Sequence, residues 1–135
     1  FSDDVKIGDV VEVVEDTFSE IGFEDGDKFS EFTDFRIKTS YSVKSKTNLR
    51  KAKGITINTV HGKEDSITEI VNKINSDIET MEGASVFKVC EELDVSCMQI
   101  RAISNNVEIR NTDNWDIDLA IRNLNSEVEK IIDTL

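Results

Sequence analysis

The 135-residue sequence contains no proline, a single histidine and only two cysteines. Average usage would give about 5% Pro, so a Pro-rich linker, a PxxP ligand and a collagen-like segment are all excluded. Positive charge is scarce too: 16 Lys and Arg stand against 28 Asp and Glu, a formal net charge of -12. A surface that tracks nucleic-acid phosphates or an anionic membrane needs the opposite balance, so neither is expected as a partner. Apolar runs stop after a few residues, far short of the roughly 20 that span a bilayer, and no charged-then-apolar leader opens the chain. One histidine and scattered carboxylates form no metal-ligand set, and no cofactor is implied. Cys90 and Cys97 are too few for a disulfide framework in a chain of this size and read as reduced packing residues. What remains is a soluble, cytoplasmic protein with 38% hydrophobic residues, enough for one core, hence a single domain over residues 1–135. The chain begins with Phe1 rather than Met, which reads as a processed product or a fragment.

The residues that are present fall into a pattern. Asp9-Val10-Val11-Glu12-Val13-Val14-Glu15 is β-branched and apolar and predicts a strand. Residues 16–53 mix acids, lone aromatics (Phe18, Phe23, Phe29, Phe32, Phe35, Tyr41) and a basic stretch at 44–53. They predict an irregular surface excursion with a mobile basic loop inside it. Residues 54–60 alternate and are β-branched, a strand that ends at the turn signal His61-Gly62. Ser66 to Glu69 fits a capping box ahead of Ile67, Ile70, Val71 and Ile74 at helical spacing. Residues 78–104 read as a strand, a helix from Gly83 with Val86, Phe87, Cys90 and Leu93 on one face, and a second strand, which together predict a parallel β-α-β unit. From Trp115 the residues Ile117, Ala120, Ile121, Leu124, Val128, Ile131 and Leu135 predict a long amphipathic helix lying on the sheet. The fold class is α/β, three layers around a mixed or largely parallel sheet.

Ligands in open α/β sheets bind beyond the carboxyl ends of strands. Three such ends carry unusual polar groups: Thr59-Val60-His61-Gly62, Met81-Glu82-Gly83 and Ser104-Asn105-Asn106. If their strands are parallel neighbours, they face one crevice. Glu82, at a strand end and a helix start, could accept two hydrogen bonds from the vicinal hydroxyls of a ribose, with helix-start amides stabilising its charge. An ordinary acid in a first helical turn is the alternative. Met81 would pack on the sugar or simply fill the core. Arg101 lies in an otherwise apolar strand and needs a partner if it is buried; Glu82, on an adjacent strand, is the candidate, and an outward-facing Arg is the alternative. His61 could bind or polarise a ligand, or be merely exposed. Glu12 and Glu15 lie in the strand-like run with no motif to promote them.

Thr-Met-Glu-Gly-Ala at 80–84, followed by Gln-Ile-Arg-Ala-Ile-Ser-Asn at 99–105, resembles the nucleoside phosphorylase and nucleosidase superfamily. Ile-Gly-Asp-Val-Val (7–11), Glu-Asp-Gly-Asp-Lys-Phe (24–29), Gly-Ile-Thr-Ile-Asn-Thr-Val-His-Gly (54–62) and Trp-Asp-Ile-Asp-Leu-Ala-Ile-Arg-Asn-Leu-Asn (115–125) are similar to the futalosine hydrolase family within it. The resemblance implies hydrolysis of an N-glycosidic bond, with hypoxanthine released from futalosine to give dehypoxanthine futalosine on a route to menaquinone. Glu82 would then bind the ribose and favour an oxocarbenium-like state, and Met81 would pack on the sugar. Asn105, supported by Ser104, would contact the base, and Arg101 would orient Glu82 or the Asn105 loop. Thr59, Val60 and His61 would line the pocket, and Trp115 would cover it. Related adenine nucleosidases have Asp where Asn105 stands. An amide cannot act as a general acid but can donate to O6 or N7 of a 6-oxopurine, which argues for hypoxanthine over adenine. The resemblance also implies a homodimer or larger homo-oligomer, and that this chain is a C-terminal portion whose leading strands, glycine-rich loop and water-activating carboxylate lie ahead of Phe1, leaving it inactive alone. The alternatives are a purine nucleoside phosphorylase, a methylthioadenosine/S-adenosylhomocysteine nucleosidase-like enzyme, or a non-catalytic nucleoside-binding or assembly protein.

Overall fold

A computed structural model describes residues 1, 4–32 and 37–134. In chain order the elements are β1 (Val10–Phe18), β2 (Gly22–Asp25), β3 (Lys28–Glu31), β4 (Ser40–Ser42), β5 (Arg50–Thr56), α1 (Glu64–Lys73), β6 (Ile78–Thr80), α2 (Gly83–Glu92), β7 (Gln99–Ala102) and, after a single 3-10 turn at Thr112–Asn114, α3 (Ile117–Ile132). The β-branched run predicted at 9–15 becomes β1 and continues to Phe18, long enough to take different partners along its two edges. One edge pairs in parallel with β5; the other receives β7 opposite residues 10–13 and β4 opposite residues 15–17, both antiparallel. β6 adds to β5 in parallel, so the central sheet is mixed.

Side-chain alternation along β5 puts helices on both faces. Ala52 joins a cluster with Val11, Val13 and Ile78 from neighbouring strands and Ala84 and Phe87 from α2. Ile55, of opposite parity, joins Ile57 and Ile70 of α1 instead. The two clusters therefore lie on opposite sides of the sheet, giving the expected α/β layering. α3 packs against β7 and β1, and its N-cap Asp116 accepts from Leu119 N at 2.9 Å. Cys90 and Cys97 are free and half-buried, with Cys97 against the larger cluster.

Several expectations are corrected. The parallel β-α-β unit is β5-α1-β6, one element earlier than predicted, with Ile55 opposite Glu79. β7 is neither parallel to β6 nor its neighbour: the free edge of β1 offers it four paired residues, while β6 is only three residues long. The strand expected at 54–60 runs instead over β5, because its lysines point out while Ala52 and Gly54 point in. The basic stretch is thus half strand, and residues 45–47 are pinned by the Glu12 carboxylate rather than mobile. The excursion at 16–53 holds the end of β1, a hairpin and β4. Ser66 does not cap α1, which starts two residues earlier after Lys63; its hydroxyl donates to Lys63 O within the first turn. On α2 the residues facing the sheet are Gly83, Ala84 and Phe87, leaving Val86 and Leu93 exposed. Phe35 and Leu135 lie outside the described residues.

Candidate active site

A cavity of about 350 Å³ opens where the segments after β5, β6 and β7 converge, within the range of small-molecule sites. Of the residues singled out by sequence, it is lined by Val60, His61, Met81, Arg101, Ser104, Asn105 and Trp115. The three polar segments therefore do meet, although β7 runs antiparallel to β6. Thr59 is exposed and is not among the lining residues; neither is Glu82.

The position of Glu82 follows from what the start of α2 does with its free amides. Glu82 is the N-cap, but its side chain makes no capping hydrogen bond. Gly83 N donates to Thr80 Oγ1 at 3.2 Å and Ala84 N to Thr56 Oγ1 at 2.8 Å. Two threonine hydroxyls thus take the donors that were expected to stabilise the Glu82 charge. The carboxylate instead lies 3.6 Å from the Arg101 guanidinium, with side-chain exposures of 65% and 34%. The expected pairing of Arg101 with Glu82 is present, across non-neighbouring strands.

Behind this turn sits a carboxylate that sequence reasoning passed over. Asp16, on β1, is completely buried. It accepts from Thr56 Oγ1 at 2.8 Å and from Gln99 Nε2 at 3.1 Å. Burial pushes its pKa up, and the hydrogen bonds from Thr56 and Gln99 together with the Arg101 charge offset only part of this. Glycine is required at 83 because a Cβ there would penetrate the Asp16 carboxylate and come within 2.8 Å of Gln99 Oε1. Asp16, Thr56, Thr80 and Gln99 therefore fix the backbone from which Met81 and Glu82 project.

At the opposite wall, Ser104 Oγ donates to Asn105 Oδ1 at 2.8 Å and Asn105 Nδ2 donates to Asn106 O at 3.0 Å. The amide oxygen is engaged, which leaves the NH2 as the side with donor capacity to spare. Trp115 is half-buried, with the Arg110 guanidinium 5.2 Å from its ring centre. A second unanticipated carboxylate, Glu79, lies in the middle of β6 and lines the cavity. Its Oε2 is 2.6 Å from His61 Nδ1, and its Oε1 accepts from His61 N at 3.1 Å. The signal available for it was a lone acid between buried Ile78 and Thr80. Among the described residues no group of three His, Cys, Asp or Glu could hold a metal ion, and no helix is long and apolar enough to cross a membrane.

The sequence profile of the phosphorylase superfamily matches residues 1–135. The chain belongs to that superfamily. Among solved superfamily-like structures, the 5'-methylthioadenosine/S-adenosylhomocysteine nucleosidase of Neisseria meningitidis, in complex with methylthio-immucillin-A, superposes with a TM-score of 0.75 at 13% identity, covering 100% of this chain and 65% of that one. The D198N nucleosidase of Helicobacter pylori with 5'-methylthioadenosine gives 0.82 at 17%, covering 99% and 64%. Futalosine hydrolase of Helicobacter pylori strain 26695 gives 0.74 at 16%, with the same coverage of 99% and 64%. No curated protein matches by sequence. At these identities the likeness establishes the superfamily fold, and the chain spans about 65% of the length of the first of these proteins.

Proposed function

We propose that the protein hydrolyses the N-glycosidic bond of a 6-oxopurine nucleoside, in the manner of futalosine hydrolase, releasing hypoxanthine from futalosine to leave dehypoxanthine futalosine for menaquinone biosynthesis. The observation that carries this reading is Asn105, oriented by Ser104 in the cavity that Met81 and Arg101 also line. Its NH2 is a donor suited to the O6 or N7 that gains electron density as the base departs. Glu82, poised on Arg101, would turn toward the ribose hydroxyls when the nucleoside enters, and its charge would favour the oxocarbenium-like state. The superfamily membership and the likeness to futalosine hydrolase are consistent with this. The protein would work as a homodimer or larger homo-oligomer.

The second reading is an adenine-releasing nucleosidase, favoured by the several methylthioadenosine nucleosidases that share the fold and opposed by the amide at position 105. Binding measurements with inosine and hypoxanthine, on wild type and Glu82→Ala, test the ribose role. Loss of a hydrogen bond to a charged group is worth about 1.5 to 3 kcal/mol, so Glu82→Ala should weaken inosine by roughly ten- to a hundredfold while leaving hypoxanthine unchanged. Equal weakening of both, or of neither, defeats the assignment. Turnover of futalosine in phosphate-free buffer separates hydrolysis from phosphorolysis, and comparison with methylthioadenosine separates the two readings.

A further inference from the structure

Asn105 can stabilise charge on a departing base, but an amide has no proton to transfer at neutral pH. Departure of a purine as its anion is difficult, and a nucleosidase gains rate by protonating it. A histidine on the wall of the same cavity is able to do so. His61 follows β5 through a segment that continues alongside β6, where Ile57 N donates to Thr80 O at 3.0 Å. Asn58, through its backbone N and Nδ2, donates to Glu20 Oε2 at 2.9 and 2.6 Å, which ties the same segment to the end of β1. Glu79 then grips His61 twice, at its backbone N–H and at ring Nδ1. The two side chains are 15% and 6% exposed, so the pair is shielded without being sealed.

An ionised carboxylate only accepts, so Nδ1 carries a hydrogen and Nε2 is the ring nitrogen left for exchange with a ligand. Among the described residues Nε2 has no protein partner, and no buried side-chain nitrogen or oxygen lacks one. Nε2 is therefore accessible, on a residue that lines the cavity. A carboxylate bound to one ring nitrogen orients an imidazole and fixes which nitrogen faces the ligand, the arrangement found where histidine serves as an acid–base group.

We propose that His61, held by Glu79, is the proton donor to the leaving base, with Glu79 as its positioning residue. This rests on the nucleosidase reading. As the C1'–N bond breaks, its electron pair passes to the base, and the Nε2 proton moves to a base nitrogen. Water adds to C1', and the proton it loses returns to the solvent pool from which His61 is reprotonated. The net reaction is nucleoside plus water giving free base plus ribosyl hydroxyl.

The test is leaving-group dependence in the intact protein. A purine needs protonation to leave, whereas p-nitrophenolate departs as a stable anion. General acid catalysis contributes about 10²- to 10⁴-fold. His61→Gln should therefore lower kcat on inosine or futalosine by roughly a hundredfold or more, with KM changed by less than about threefold, while p-nitrophenyl riboside turnover stays within about threefold of wild type. Glu79→Gln keeps a hydrogen-bonding side chain without the charge and should show the same selectivity at about tenfold. The p-nitrophenyl riboside rate also reports whether each variant is folded. A variant that loses both substrates alike, or neither, overturns the proton-donor role. A wild type that cleaves neither substrate overturns the nucleosidase reading itself.

Discussion

Glu12 and Asp16 lie four residues apart on β1, and both are completely buried, yet the chain around them holds them in opposite ways. Glu12 accepts four hydrogen bonds from the loop that follows β4: Ser45 Oγ at 2.7 Å, Lys46 N at 2.8 Å, Thr47 N at 3.1 Å and Thr47 Oγ1 at 2.8 Å. Burial pushes its pKa up, but these donors outweigh burial and hold the carboxyl below its usual value. Asp16 accepts from the Thr56 and Gln99 side chains and from the Thr17 backbone, and burial prevails. The difference lies in the donors. A loop supplies two backbone N–H groups and two hydroxyls to Glu12, whereas between strands most backbone groups are already used in the ladder and Asp16 receives fewer donors. Glu12 fixes a loop and is comfortable ionised; Asp16 sits behind the turn of the candidate site and is not.

The severest way to break the Asp16 side is Gly83→Ala. The new Cβ must displace the Asp16 carboxylate or the start of α2, and overpacking of this kind costs about 3 kcal/mol. Urea unfolding should show that loss, accompanied by weakened nucleoside binding as the Met81–Glu82 turn shifts. Asp16→Ala combined with Gly83→Ala should recover part of it by removing the obstructing group. A double variant as unstable as the sum of the two would place the strain elsewhere.

On the other side the corresponding change is Glu12→Gln. An amide of the same shape must turn its NH2 toward donors that already point at both oxygens, leaving at least one unpaired. The expected loss is about 2 kcal/mol, with faster hydrogen exchange at the Lys46 and Thr47 amides and nucleoside binding untouched. Unchanged exchange at those amides would mean that the loop is held by something other than Glu12.

Why was this pair invisible in the sequence when much of the fold was not? Periodicity revealed β1, α2 and α3 because their apolar residues recur within one element. β5 was placed late because Arg50, Lys51 and Lys53 mask the start of an alternation in which Ala52 and Gly54 face inward. Glu12 had no motif to promote it and Asp16 fell in the stretch read as irregular, because their side-chain donors come from residues 33 to 83 positions away. Within the candidate site, Met81, Ser104, Asn105 and His61 were found from strand-end polarity, and Arg101 as a cation in an otherwise apolar strand. Glu79 was not, since its role exists only once the chain after β5 brings His61 against it. Thr59 and Glu82 came from the same strand-end reasoning but do not line the cavity, and the threonine hydroxyls that satisfy the start of α2 left Glu82 outside its wall.

A gentler substitution sharpens the comparison through pH. Asp16 has a raised folded-state pKa, so its ionisation costs stability above the usual carboxylate range, and that cost disappears as pH falls through the raised value. Asp16→Asn removes the titration while keeping an acceptor for Thr56, and Gln99 can turn its oxygen to the new NH2. Its stability relative to wild type should be higher at pH 7 than at pH 4. Glu12 has the opposite sign: its contribution is present above the usual carboxylate pKa and lost as pH falls through its lowered folded value. The Glu12→Gln deficit should therefore be full at pH 7 and shrink in acid. Denaturant midpoints for both variants from pH 3 to 7 check this, and parallel slopes would refute the assignment of opposite shifts.

Arg101→Met is expected to have the smallest effect on stability. The Arg101–Glu82 pair is long and substantially exposed, and pairs of that kind are worth under about 1 kcal/mol. Its influence on Asp16 is more specific, because the Arg101 charge is one of the groups that lowers the Asp16 pKa. Removing it should push Asp16 further up and move the Asp16-dependent part of the stability profile to higher pH, with the Glu12-dependent part unmoved. In an Asp16→Asn background the same substitution should leave the profile where it was. That double-variant comparison separates a charge acting on Asp16 from a general loosening of β7: loosening would persist without Asp16, and a charge effect would not.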